Sequence, residues 1–175
     1  GDGTTAVGTG AGGYQNSDNN NEATGNSLFG YVAGEFNVTG TNNTYIGYES
    51  GKGALNQSNS ANTGLGYGSL KSITTGNSNT AIGAYAMQIA TTATVNTAIG
   101  GEAMSGITTN AVQDAVAVGY GAFKGHTSTS TATNGTVAIG RASLFALTTG
   151  AHNTAIGYNA LAVHTTGNSN TVIGY

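Results

Sequence analysis

"TTGNSNTAIG" at Thr74–Gly83 returns almost unchanged as "TTGNSNTVIG" at Thr165–Gly174, and its last five residues recur at Asn96–Gly100 and Asn153–Gly157. A phrase that runs from a polar residue to a glycine, written this often, points to architecture, since an enzyme seldom needs its site several times over. Aligning every apolar-Gly ending gives Gly8, Gly30, Gly47, Gly66, Gly83, Gly100, Gly119, Gly140, Gly157 and Gly174. The intervals are 22, 17, 19, 17, 17, 19, 21, 17 and 17, so the period is 17 with insertions of two, four or five. Residues 1–175 therefore read as a single repeat array, and the repeat decides the fold.

Each column has a physical meaning. The residue before the glycine is Val7, Phe29, Ile46, Leu65, Ile82, Ile99, Val118, Ile139, Ile156 or Ile173, always large and apolar. Two positions earlier stands Thr, Ser or Val, and the residue between is usually Ala. In a strand the outer two columns share a face, and β-branched residues suit a pleated surface. The large column is the expected buried core, with Ala keeping the opposite face thin. Glycine then turns the corner at a φ that other residues resist. Three residues on comes a column of Ala and Ser alone, from Ala11 to Ala160. The next changes from Gly12, Gly34 and Gly51 to Leu70, Met87, Met104, Phe123, Leu144 and Leu161. A polar return, often "TTG", closes the unit.

A unit this short, glycine-rich and β-branched does not form a helix. The expectation is all-β: a β-solenoid of about ten coils, each stacked on the one below. Coils stacked at roughly 4.8 Å make a rod on the order of 45 Å long. So slender a coil has much surface for its core. The small-residue columns fit close packing of several chains about an axis, and a parallel homotrimer, intertwined or side by side, would supply further burial.

Composition narrows the function. The chain has 175 residues, 30 Gly, no Pro, no Cys, 6% charged residues and a formal charge of -3. There is no basic footprint for nucleic acid, no thiol chemistry and no apolar run long enough to span a membrane. "GDGTTAVG" opens as if within a repeat and lacks an initiator Met, so the chain is expected to be a fragment of a longer fibrous protein.

The phrases "NTAIGYNAL", "NTAIGGEAM", "VAVGYGAF" and "VAIGRASL" resemble the repeats of YadA-like trimeric adhesin heads, and "TTGNSNTAIG" resembles repeat arrays of phage tail fibres. The resemblance covers essentially the whole chain. It implies a trimeric left-handed parallel β-roll, displayed on a virion tail fibre or a bacterial cell surface, with adhesive or spacer duty. The 17-residue unit departs from the shorter units usual in those heads.

Other motifs carry less. "GTGAGG" at Gly8–Gly13 fits the dinucleotide pattern, but no helix can start in the "YQNSDNNNEATG" that follows. "GYESGK" at Gly47–Lys52 falls short of a phosphate-binding loop. His126, His152 and His164 share no column and make no metal site. Glu35 and Glu49 could pair as hydrolytic carboxylates only if folding brings them together. No cofactor and no enzymatic activity are expected. Tyr follows the corner glycine at Tyr31, Tyr48, Tyr67, Tyr120, Tyr158 and Tyr175, as a stacked ladder or a strip for docking sugar rings.

Recognition is expected in the two longest insertions, "YQNSDNNNEATG" (Tyr14–Gly25) and "KGHTSTSTATNG" (Lys124–Gly135), because regular coils repeat their neighbours' surface. Candidate contacts to a surface glycan or host receptor are Tyr14, Asn16, Asp18, Asn20, Lys124, His126, Thr127 and Thr129. The function expected is a rigid structural and adhesive fibre module. The alternative is an ice-binding or self-assembling extracellular β-solenoid, the ice-binding version using its Thr-rich face to order ice-like water.

Overall fold

The computed structural model describes residues 3–15, 23–108, 112–125 and 133–175. Its ten strands are β1 (Thr5–Val7), β2 (Ser27–Phe29), β3 (Thr44–Ile46), β4 (Thr63–Leu65), β5 (Thr80–Ile82), β6 (Thr97–Ile99), β7 (Val116–Val118), β8 (Val137–Ile139), β9 (Thr154–Ile156) and β10 (Thr171–Ile173). They form one parallel sheet in strict chain order, β1 to β10. The register follows the repeat, with Thr80 opposite Thr97, Ala81 opposite Ala98 and Ile82 opposite Ile99. The chain is an all-β solenoid of 17-residue-based coils, and no helix occurs among the described residues.

The expected core column requires correction. Val7, Phe29, Ile46, Leu65, Ile99, Ile139 and Ile173 are exposed, and Ile82, Val118 and Ile156 are only half-buried. From β2 to β9 the middle residue of the strand points inward instead: Leu28, Tyr45, Ala81, Ala98, Ala117, Ala138 and Ala155 are fully buried. Strand alternation places the Thr and Ile columns on one face, but it does not say which face is inside. The interior is supplied largely from beyond the corner, by Leu70, Met87, Met104, Phe123 and Leu144, with Ile73, Ile107 and Leu147 from the return. These side chains fill the width of the coil and leave room for little more than Ala in the strand.

Coils two and three show the same constraint in reverse. Where the strand carries Leu28 or Tyr45, the position beyond the corner is Gly34 or Gly51. A Cβ built at Gly34 would stand 2.8 Å from a Leu28 methyl, and one at Gly51 would meet the Tyr45 ring. Where the strand carries Gly64, Leu70 fills the space. A Cβ at Gly64 would lie 2.9 Å from the Tyr45 ring. Volume is conserved across the coil while its source alternates between the two walls, as close packing demands.

Left-handed backbone recurs at fixed places. The ten corner glycines have φ from 126° at Gly140 to 139° at Gly30. The coils touch backbone to backbone here: a Cβ at Gly100 would lie 2.6 Å from the Gly119 carbonyl oxygen. Three further columns are also left-handed: those two and four residues past the corner, including Tyr85 (φ 60°) and Met104 (φ 54°), and the one just before the strand-opening Asn, as at Val95 (φ 57°). Bulky residues seldom adopt this conformation. Here it sends Met104 and its equivalents into the core while the backbone bonds to both neighbouring coils.

The asparagine that opens "NTAIG" is buried. Asn43, Asn62, Asn79 and Asn96 form a ladder in which the side-chain oxygen of each of the first three accepts from the backbone N–H and side-chain amide of the next Asn, and that of Asn96 accepts from the Ala115 N–H. Each amide also donates to a carbonyl in the return of the next coil, as Asn79 does to Ala93 at 2.7 Å. This satisfies polar backbone inside a coil that excludes water. Ala115 and Thr136 interrupt the ladder, and the hydroxyls of Thr133 and Thr136 are buried without a partner.

Candidate functional site

Two surfaces of different chemistry follow from this geometry. The first is the outer face of the sheet. Two outward side chains from each strand give a column of Thr, Ser and Val beside a column of Ile, Val, Leu and Phe, and none of them is charged. Ten strands at about 4.8 Å and three residues at about 3.3 Å make a face of roughly 480 Å². About half of that face is apolar, which is within the size of the largest apolar patch on an ordinary monomer; what sets it apart is the regular row of exposed large apolar side chains, in register from coil to coil.

The second surface lies past the glycine corner and collects the charge. Lys52, Lys71, Lys124 and Arg141, the four cationic side chains of the chain, all fall in this segment. Lys52 pairs with Glu35 at 3.8 Å and with Glu49 at 3.2 Å, and Lys71 pairs with Glu49 at 2.7 Å. The hydrogen bond from Lys71 holds the Glu49 carboxyl below its usual range, with Lys52 adding to the effect. A general acid needs the opposite shift. Glu35 and Glu49 do share one lysine, but as members of an ion-pair chain along the rod. Glu102 is likewise held low, first by Lys124 at 2.6 Å and then by the Tyr120 hydroxyl at 3.1 Å.

The tyrosines stack along this surface. Tyr31, Tyr48 and Tyr67 have ring centroids 5.0 Å and 5.1 Å apart, and Tyr158 and Tyr175 stack at 5.6 Å. Arg141 takes the place of a ring between Tyr120 and Tyr158, with its guanidinium 5.9 Å and 5.4 Å from their centroids. The ladder is interrupted where Ala84 and Gly101 follow the corner glycine. There Tyr85, one residue further on, meets Tyr67 edge-on at 79°.

Beside that interruption lies a shallow cleft of about 390 Å³, lined by Tyr85, Gln88, Ile89, Glu102, Ser105, Gly106 and Lys124. The repeat explains its shape. Ser105 and Gly106 stand in columns that carry Gln88 and Ile89 one coil earlier, so the floor sinks between two coils with longer side chains. Sequence reasoning missed this cleft. Its signal was a local loss of bulk at Ala84, Gly101, Ser105 and Gly106, visible only once the columns beyond the corner are known to face outward.

Of the expected recognition residues, Tyr14 is exposed and packs on Phe36 with ring centroids 5.0 Å apart. Lys124 is engaged by Glu102 and lies 5.5 Å from the centroid of the Phe145 ring, so it belongs to the cleft wall. Asn16, Asp18, Asn20, His126, Thr127 and Thr129 lie outside the described residues. Among the described residues no group of His, Asp and Glu converges as a metal site, and no helix is long and apolar enough to cross a membrane. No family model, curated protein or solved structure matches the chain.

Proposed function

We propose that this solenoid is a rigid, non-enzymatic rod module of an extracellular fibre, a phage tail fibre or a bacterial surface adhesin, that works as a parallel homotrimer. One observation carries this reading: the unbroken, uncharged Thr/Ile face of the ten-stranded sheet. Large apolar residues held in register on an outer face gain most when other chains cover them, at about 25 cal/mol per Å² of apolar surface. Three copies set about an axis cover one such face on each chain without leaving an open end to the assembly. The resemblance to trimeric adhesin heads and tail-fibre arrays supports three over two. In this arrangement the Tyr and ion-pair surface lies around the glycine corner and faces outward, where receptor glycans are met in three copies.

Sedimentation velocity at micromolar concentration tests the assembly. The proposal requires about three times the 17.2 kDa chain mass, and a monomer defeats it. A second reading, an ice-binding solenoid, has support in the same face, because Thr44, Thr63, Thr80 and Thr97 form a regular hydroxyl column on consecutive strands. Thermal hysteresis from a monomeric sample would favour that reading. Its absence from a trimeric sample would leave the fibre module.

A further inference from the structure

We infer that the cleft between coils five and seven is a binding site for a short neutral saccharide. This rests on, and sharpens, the proposed receptor-binding role of the outer surface. The cleft has about 390 Å³ of space, at the small end of the range for ligand pockets. Its groups are those a sugar ring engages. Tyr85 offers an aromatic side chain beside Ile89 for the apolar C–H face of a pyranose. Glu102, Gln88 and Ser105 offer acceptors and donors for its hydroxyls.

Three features separate the cleft from the rest of the ladder. First, Tyr85 leaves the parallel stack: it stands at 79° to Tyr67, whereas Tyr48 and Tyr67 lie within 5° of parallel. Second, the Glu102 carboxylate is fixed before any ligand arrives, by Lys124 on one oxygen at 2.6 Å and the Tyr120 hydroxyl on the other at 3.1 Å. Its remaining lone pairs are free to accept from sugar hydroxyls without reorganisation, which is where polar sites gain affinity. Third, the floor cannot fill in. A Cβ at Gly106 would lie 2.8 Å from the backbone oxygens of both Lys124 and Gly125.

Charge selects the class of ligand. Glu102 and Lys124 neutralise each other, so the cleft as a whole favours neither an anion nor a cation. A sialylated or phosphorylated glycan would have to pull Lys124 from its carboxylate. A neutral hexose or N-acetylhexosamine needs only the hydrogen bonds already positioned.

The test uses a surface array of neutral oligosaccharides of the galactose, glucose and N-acetylhexosamine series, with the sialylated counterpart of each. Wild type is expected to bind members of the neutral series and to lose affinity on sialylation. Tyr85→Ala and Glu102→Gln should each weaken binding about tenfold, the cost of one good charged hydrogen bond or apolar stack. Leu55→Ala, an exposed apolar side chain away from both the cleft and the tyrosine surface, should leave binding unchanged, and all three variants should keep the β-sheet circular dichroism of wild type. If wild type binds glycans and the cleft variants bind equally well, the cleft assignment is wrong while the receptor role stands. Preference for sialylated glycans also overturns the assignment. If wild type binds none of the array, both the cleft and the glycan-receptor role fall, and the trimeric rod remains to be judged by its mass.

Discussion

Replacing Asn79 by Ala cuts the internal ladder at its middle. Four side-chain hydrogen bonds disappear: two that its amide donates, to the Asn62 side-chain oxygen at 3.0 Å and the Ala93 carbonyl at 2.7 Å, and two that its oxygen accepts from Asn96, both at 3.1 Å. The losses are unequal. The Asn62 oxygen keeps the Asn79 backbone N–H, and the Asn96 amide keeps the Thr94 and Val112 carbonyls. The Asn96 backbone N–H and the Ala93 carbonyl lose these partners inside a coil where Asn79 and Asn96 are each only 1% exposed. Leaving a buried polar group unpaired costs about 1–3 kcal/mol, so two should cost about 2–6 kcal/mol. That is a large share of the stability of an ordinary domain. Urea unfolding followed by circular dichroism measures it, with the midpoint expected to fall at nearly constant slope. A loss below about 1 kcal/mol would show that water enters the coil or that the ladder is ornamental, and would refute the reasoning.

Further outcomes follow from other parts of the coil. Gly100→Ala places a methyl 2.6 Å from the Gly119 carbonyl oxygen at φ 132° and should cost about 3 kcal/mol or more, read as a fall in Tm or failure to express folded protein. Val95→Gly should do the reverse. Val95 is exposed and left-handed at φ 57°, in a column that already uses Gly25 and Gly135, and relief of a β-branched residue there should raise stability by about 1 kcal/mol in the same urea assay. Acid should weaken the rod slightly. Glu49 and Glu102 titrate below the ordinary 4.5, so their ion pairs contribute above that pH and the contribution is lost as pH falls through the depressed values. Glu49→Gln should flatten part of that slope in a pH series of melting curves.

The period, the corner glycines and the stacking order were legible because each depends on local chain properties repeated ten times. The side of the strand that faces inward was not. In "TAI" the large, apolar, β-branched residue has every local mark of a core position, yet Ala98 is buried and Ile99 exposed. What decides is the opposite wall. Met87 and Met104 reach the interior only because their backbone is left-handed, a conformation that sequence rules reserve for Gly and Asn. The clue was the exchange of Gly34 and Gly51 for Leu70 and Met87 in one column, matched by Leu28 and Tyr45 giving way to Gly64 and Ala81 in another. Read singly, each column suggests drift; read together they conserve volume. The buried role of Asn79 was equally hidden, since an Asn beside a turn is ordinarily solvated. The cleft could not be anticipated before the outward columns were known.

Because the Ile column is exposed on the single chain, Ile99→Asp strikes assembly and spares the interior of the coil. Sedimentation velocity and circular dichroism on wild type and variant, side by side at micromolar concentration, give the answer. Wild type is expected at about three times the 17.2 kDa chain mass, and the variant as a smaller species with the same β-sheet spectrum. A monomeric wild type, or a variant that stays trimeric, would contradict an inter-chain role for the Thr/Ile face. A variant that unfolds outright would return Ile99 to the core.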